Sequence, residues 1–147
     1  MNRKKAPNNN QEERNAVGVL IITHGPLARE LVQTAELIVG KVEQLRTLSV
    51  DSTFDVDLLN AQVQEAITAV DRGRGTIILT DLFGGTPSNI SLSFLEEGKV
   101  DVVTGVNLPM LIKLAQAREG KDLADVARLC YESGREGVYM ASEILKK

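Results

Sequence analysis

The sequence is poor in the residues that build disulfides, metal sites and aromatic cores: among 147 residues it has one cysteine, one histidine and no tryptophan. A single cysteine, Cys130, cannot form a disulfide within the chain, which fits a reducing compartment. One histidine and one cysteine are too few for a zinc site built from these residue types. No spacing of carboxylates indicates a metal site, so we predict neither a metal nor another cofactor.

Long apolar runs are also missing, because no stretch approaches the ~18 residues that span a membrane. The first 15 residues, MNRKKAPNNNQEERN, are polar throughout and lack the apolar middle of a signal peptide. We therefore expect a cytoplasmic protein that is not inserted in a membrane. The net charge of −3 and a pI near 5.2 argue against binding to nucleic acid.

What the chain does contain fits one domain with an aliphatic core. Hydrophobic residues make up 43% of the sequence and aromatic residues only 3%, and the length suits a single domain. We predict a disordered polar extension over residues 1–15 and one folded domain over residues 16–147. The extension carries four basic and two acidic side chains, so a short basic docking arm is the alternative.

Apolar segments typical of buried strands alternate with helical patterns. The predicted strands cover residues 17–23, 46–50, 76–80 and 100–105; the predicted helices cover residues 26–39, 57–71, a segment starting at 86 or 87, 110–118 and 122–133. This alternation predicts an α/β fold in three layers, with helices on both faces of a mostly parallel sheet. For residues 137–142, GVYMAS, the pattern leaves both a last strand and more helix open.

Two polar side chains follow apolar strands of the predicted sheet. His24, the only histidine, comes after AVGVLIIT, and Asp81 comes after TIILT. Ligands bind beyond the carboxyl ends of parallel strands, so adjacent first and third strands would bring both side chains into one crevice. There the carboxylate would accept a hydrogen bond from one imidazole nitrogen and leave the other as a nucleophile. A capping or packing role for either residue is the alternative.

The GGTP segment that closely follows Asp81 has the features of an anion-binding turn. Gly84 and Gly85 allow backbone dihedral angles that turn N–H groups toward a ligand. Thr86 can cap the next helix and Pro87 suits its first turn, and a helix N-terminus favours phosphate. A plain turn followed by a helix cap would explain the same residues.

Taken together, a histidine nucleophile, an orienting aspartate and a phosphate-binding turn indicate phosphoryl transfer through phosphohistidine. Such transfer depends mainly on positioning and on neutralising the phosphoryl oxygens, which the N–H groups of Gly85 and Thr86 can do. The sequence has no G-x-x-x-x-G-K-[ST] motif, so we expect the donor to be another phosphoprotein rather than a nucleoside triphosphate.

From about residue 17 onward the chain resembles the mannose-type IIA component of the bacterial phosphoenolpyruvate-dependent sugar phosphotransferase system. The segments that carry the resemblance are GVLIITHGPLARELVQTAELIVG, TIILTDLFGGTPSN, GVNLPMLIKL and ESGREGV. The resemblance implies that His24 is phosphorylated on its ε nitrogen (Nε2) and that Asp81 orients the ring. It also implies that Gly85 and Thr86 contact the phosphoryl group.

The resemblance also implies partners. The donor would be the phosphocarrier HPr, and the acceptor in sugar uptake would be a IIB component. No further domain follows Lys147 in this sequence, so we expect IIB to be a separate protein, within reach of a membrane permease complex. The family forms homodimers that exchange a C-terminal strand, a role that would suit GVYMAS.

We expect the rim of the site to include Thr23, Gly25, Phe83 and Asn107. Well-known members of the family carry tryptophan where this chain has Phe83, and often an aromatic residue where it has Pro26. Both differences bear on the preference for partners and not on the chemistry. For Asn107, which follows the fourth predicted strand, a structural role with the side chain bonded to backbone is the alternative.

Three other functions stay open. A regulatory phosphoprotein, whose phosphorylation state at His24 is read by a partner, would use the same site without sugar transport. The phosphotransferase subunit that serves dihydroxyacetone kinase has a related fold but lacks GGTP after its third strand. A flavin-binding module would use GGTP for another ligand, and the shortage of aromatic residues near the loops argues against it.

Overall fold

The structure is a computed structural model that describes residues 15–146, so the extension predicted for residues 1–15 lies outside it except for Asn15. The strands are β1 Gly18–His24, β2 Leu45–Val50, β3 Thr76–Thr80 and β4 Val100–Thr104; the helices are α1 Leu27–Val39, α2 Val56–Val70, α3 Thr86–Leu92, α4 Leu108–Ala117, α5 Leu123–Glu136 and α6 Ala141–Ile144. No helix of the described part is long and apolar enough to cross a membrane.

The four strands form one parallel sheet in the order β2-β1-β3-β4. β1 and β3 are therefore the neighbours that the predicted crevice requires. The chain winds first to one side of β1, toward β2, and then to the other side, toward β3. In open α/β sheets, ligands bind at the place where the winding direction changes, and here that place lies between β1 and β3.

Helices cover both faces of the sheet, which confirms the predicted three-layer α/β architecture. On one face, α1, α4 and α5 pack against a layer that contains Ile21 and Leu79. On the other face, α2 and α3 pack over a layer that contains Leu20, Ile22 and Ile78. Burial of each such side chain contributes about 1.5–3 kcal/mol. Because β1 and β3 are covered on both faces, their sequences are unbroken runs of aliphatic residues.

Several element boundaries differ from the predicted ones, and for two helices the cause is a side-chain cap. Strand β1 runs through His24 instead of ending before it. Helix α2 starts at Val56, because the carboxylate of Asp55 accepts a hydrogen bond from the backbone N–H of Leu58 at 3.0 Å. Asn107 caps α4 in the same way, so that helix begins at Leu108, two residues earlier than predicted.

The C-terminal segment differs more. Helix α5 continues to Glu136, so Gly134, which could have ended it, lies inside the helix where a Cβ would come within 2.6 Å of Met110 Cε. Residues 138–140 then pass without regular structure into α6. In the single chain, GVYMAS contains no strand, and only its last two residues are helical, at the start of α6. Its exchange in a dimer stays a prediction.

Candidate active site

The sheet brings His24 and Asp81 to one edge. His24 is the last residue of β1, and Asp81 directly follows β3. The two strands are paired up to Ile22 and Thr80, so both side chains emerge just beyond the last paired residues. Their proximity is thus a consequence of strand order and register.

Asp81 holds His24 at two points. Its Oδ2 lies 2.9 Å from Nδ1 of the imidazole and 3.0 Å from the backbone nitrogen of His24. Its Oδ1 accepts a hydrogen bond from the backbone N–H of Leu82 at 3.1 Å. A carboxylate can only accept at Nδ1, so this contact assigns the ring proton to Nδ1 and the lone pair to Nε2. The hydrogen bond from Leu82 to Asp81 was not predicted from the sequence, because it depends on the conformation of the loop.

The environment keeps Asp81 charged. Partial burial by itself would raise the pKa of Asp81, but hydrogen bonds from the ring and backbone of His24, together with the charge of that ring, outweigh it. The pKa of the carboxyl therefore lies below its ordinary value of 3.8. The side chain of Asp81 is 12% exposed, whereas that of His24 is 49% exposed. The pair thus combines a shielded anion with an imidazole that a partner can reach.

The two glycines of GGTP act in different ways. Gly84 has φ +95°, a left-handed conformation that favours glycine, and a Cβ there would meet nothing within 4 Å. Gly85 has an ordinary φ of −86°, but a Cβ there would lie 2.8 Å from Cε1 and 3.2 Å from Nε2 of His24. Gly84 is therefore required by the turn, and Gly85 by the close approach of the imidazole.

Two backbone N–H donors at the start of α3 have no partner among the described residues. Gly85 occupies the N-cap position of α3, and Thr86 and Pro87 form its first turn. Thr86 therefore does not cap the helix as the sequence suggested, because the chain enters the helix one residue earlier. Neither Gly85 nor Thr86 donates its backbone N–H to any residue from 15 to 146. Unpaired donors at a helix start attract an anion.

The residues predicted for the rim divide into exposed and structural ones. Phe83 is 72% exposed, next to Leu82 at 52%, so this loop presents an apolar pair toward solvent. Gly25 follows His24 with φ +56° and turns the chain into α1. Leu82 was missed from the sequence, although an apolar residue in a predicted sheet-edge loop was the available signal.

Thr23 and Asn107 make structural hydrogen bonds. Thr23 is fully buried, and its hydroxyl accepts a hydrogen bond from the backbone N–H of Ala28 at 2.8 Å, which fixes the start of α1. The Asn107 side chain accepts from Met110 and donates to the carbonyl of Gly134, each at 3.0 Å. Asn107 therefore has the structural role that the sequence left as its alternative.

A metal site needs several ligand side chains that converge on one point. Within residues 15–146 no three histidine, cysteine or carboxylate side chains converge into such a group. The fold and site together define a class: an open α/β protein in which a carboxylate contacts the imidazole of an exposed histidine at the point where the winding of the sheet reverses.

Comparisons with known proteins agree with that class. Residues 18–130 match the family model described as PTS system fructose IIA component, where PTS is the phosphotransferase system. The chain is 31% identical over 124 residues to the mannose-specific EIIAB component of Escherichia coli strain K12, covering 83% of this chain and 38% of that protein. It is 27% identical over 132 residues to the fructose-specific EIIA component of Bacillus subtilis, covering 89% and 90%.

A solved structure has a similar fold. The PTS IIA protein associated with the fucose utilization operon of Streptococcus pneumoniae superimposes with a TM-score of 0.78 at 28% identity, covering 89% of this chain and 97% of that one. The chain therefore belongs to the fructose and mannose IIA family of the sugar phosphotransferase system. It spans only 38% of the length of the mannose-specific relatives that it matches.

Proposed function

We propose that this chain carries a phosphoryl group on Nε2 of His24, accepts it from phosphorylated HPr, and passes it to a IIB component in sugar uptake. One observation carries the proposal: Asp81 engages Nδ1 at 2.9 Å, while Nε2 lies close to Gly85 at the start of α3, where the N–H groups of Gly85 and Thr86 have no partner among the described residues. Family membership supports the role in the phosphotransferase system, and the exposed ring supports transfer between proteins.

The chemical step needs little from the protein beyond position and charge. The lone pair of Nε2 attacks phosphorus, the P–N bond to the histidine of the donor breaks, and its electron pair stays on the donor nitrogen. The proton on Nδ1 stays there, because the charged carboxylate of Asp81 holds it and stabilises the positive ring that forms. The N–H groups of Gly85 and Thr86 would bind the oxygens of the phosphoryl group. The return step to an acceptor reverses this order.

An exposed apolar pair supports a protein partner at the edge that holds His24. Leu82 and Phe83 lie exposed beside His24, as a surface that another protein could cover.

At the far end of the chain, Val138, Tyr139 and Met140 are 76%, 72% and 66% exposed. We propose that these three residues are covered in a homodimer, which fits the expected exchange of the C-terminal segment. Light scattering should then give a dimer for the wild type and a monomer for Val138→Asp/Met140→Asp.

The test of the phosphocarrier function is incubation with phosphoenolpyruvate, enzyme I and HPr in buffer that mimics the cytoplasm. We expect one phosphoryl group on the wild type, stable in alkali and labile in acid, and none on His24→Gln. Adding a IIB component of the mannose type should then discharge the phosphorylated chain. A chain that is phosphorylated but discharges to no IIB would favour the regulatory alternative, and phosphorylation of His24→Gln would refute the assignment of the nucleophile.

A further inference from the structure

A second concave site lies at the opposite edge of the sheet, among the amino ends of the strands. It is a cleft of about 560 Å³, within the range of small-molecule sites. Its walls include Ala16 before β1, Gln44 before β2, Arg72 after α2 and Arg118 at the end of α4. None of these residues belongs to the loops around His24, so the cleft is independent of the proposed function.

Arg118 is the unusual group in this cleft. Its side chain donates to the backbone carbonyls of Val17 at 3.1 Å and Glu43 at 2.8 Å, and the residue is only 8% exposed. A guanidinium has five N–H donors, so these two contacts leave others unused. No carboxylate of residues 15–146 forms an ion pair with it. A guanidinium whose hydrogen bonds all go to backbone carbonyls can still pair with an anion through its remaining N–H groups.

The charged residues around Arg118 limit which ligands the cleft can bind. Arg72 and Lys41 also line the cleft. Burial lowers the pKa of Arg118 from its ordinary value; the charges of Glu119 and Glu43 act against this, and the charge of Arg72 adds to it. Glu43 and Glu119 line the cleft as well, which limits the excess to one positive charge. A ligand should therefore be small and carry its charge on one end, where it can reach Arg118.

The wall of the cleft is held rigidly. Gln44 has φ +58°, the one left-handed non-glycine residue of the described chain. Its buried side-chain amide donates to the carbonyls of Ala16 at 2.6 Å and Val70 at 2.7 Å, and its amide oxygen accepts from the N–H of Ala16 at 3.3 Å. Strain of this kind persists only where the surroundings impose it, and it concentrates at ligand sites. The cleft thus exists before any ligand arrives.

We infer that this cleft binds an oxyanion, a carboxylate or phosphate group, through Arg118 with support from Arg72 and Lys41. Two sources can supply that chemistry. One is a small free metabolite. The other is the acidic pair Glu12 and Glu13 of this chain, which precedes Ala16 by only three to four residues, a reach of about 10–14 Å.

The experiment is a ¹H–¹⁵N NMR titration of the full chain with inorganic phosphate, with ionic strength held constant by chloride. In the wild type we expect saturable shifts of the Arg118 Nε–H and of the Gln44 amide. In Lys41→Gln/Arg72→Gln, which removes two exposed cations and spares Arg118, the apparent affinity should fall about tenfold or more. The matched control Lys113→Gln/Arg128→Gln removes the same charge elsewhere and should titrate like the wild type.

Glu12→Gln/Glu13→Gln separates the two sources. If it titrates like the wild type, the site takes a free anion. If only this variant responds to phosphate, the chain's own carboxylates occupy the cleft, and the proposal also holds. Shifts confined to Gly85 and Thr86, equal affinity in Lys41→Gln/Arg72→Gln, or no saturable response in either the wild type or Glu12→Gln/Glu13→Gln would overturn it.

Discussion

The two edges of the sheet hold their charges in opposite ways. At the carboxyl edge, His24 is half exposed and has one nitrogen engaged and one free. At the amino edge, Arg118 is buried, and both of its hydrogen bonds go to backbone carbonyls. The imidazole must be reachable to react with a partner. Arg118 instead uses two of its N–H groups to hold the segments that lead into β1 and β2, and only its remaining N–H groups can meet a ligand. Changes at the first edge should therefore alter transfer, and changes at the second should alter stability.

The largest effect at the carboxyl edge should come from Gly85→Ala. The new Cβ would lie 2.8 Å from the His24 ring, so the imidazole must move, and a displacement of about 1 Å from reacting geometry costs roughly a hundredfold in rate. Phosphorylation by HPr, followed by rapid quench, measures the loss.

Gly84→Ala is the matched control for that glycine. Its Cβ meets nothing, but φ +95° is strained for alanine, so it should cost about 1–3 kcal/mol in the free energy of unfolding. Its rate should fall less than that of Gly85→Ala. Equal rates for the two variants would mean that the ring does not need its present position.

Asp81→Asn should come next. The amide keeps the shape of the carboxylate but loses the charge that holds Nδ1–H, so we expect transfer from HPr to slow by about 10- to 100-fold, with the fold retained. Asp57→Asn, at an exposed position, serves as the control in the same rapid-quench assay of phosphorylation by HPr. A normal rate in Asp81→Asn would refute the orienting role.

At the amino edge, Arg118→Met should lower the free energy of unfolding by about 1–3 kcal/mol, because the carbonyls of Val17 and Glu43 lose their donor. Urea unfolding measures this, with the exposed Lys113→Met as control. Phosphorylation of His24 should stay close to the wild-type rate. A large loss of transfer with intact stability would contradict the separation of the two edges.

The smallest effect should be a pH dependence. The folded pKa of Asp81 lies below 3.8, so its contribution to stability is complete above that pH and is lost as the pH falls through the lower, folded value. The stability difference between wild type and Asp81→Asn should therefore be constant at mild pH and shrink in strong acid. A difference that stays constant down to the lowest pH at which the chain is folded would show that Asp81 has no such linkage.

The sequence predicted the carboxyl edge better than the rest. Runs such as TIILT belong to strands buried on both faces, and the polar residues that follow them end at one edge by topology alone. The start of α2 was predicted at residue 57, but the side chain of Asp55 caps the helix, which therefore starts at Val56. The roles of Thr23 and Asn107 depended on which face of the chain turned inward, which packing decides. The amino-edge cleft was not visible, since Gln44, Arg72 and Arg118 are far apart in sequence.

The most direct test of the central claim uses the single histidine. With ¹⁵N-labelled histidine, the spectrum contains one imidazole, so both ring nitrogens can be assigned without ambiguity. We predict that the free chain has its proton on Nδ1, and that phosphorylation by HPr couples phosphorus to Nε2 while Nδ1 keeps its proton. Phosphorus on Nδ1, or an unprotonated Nδ1 in the free chain, would contradict the assignment.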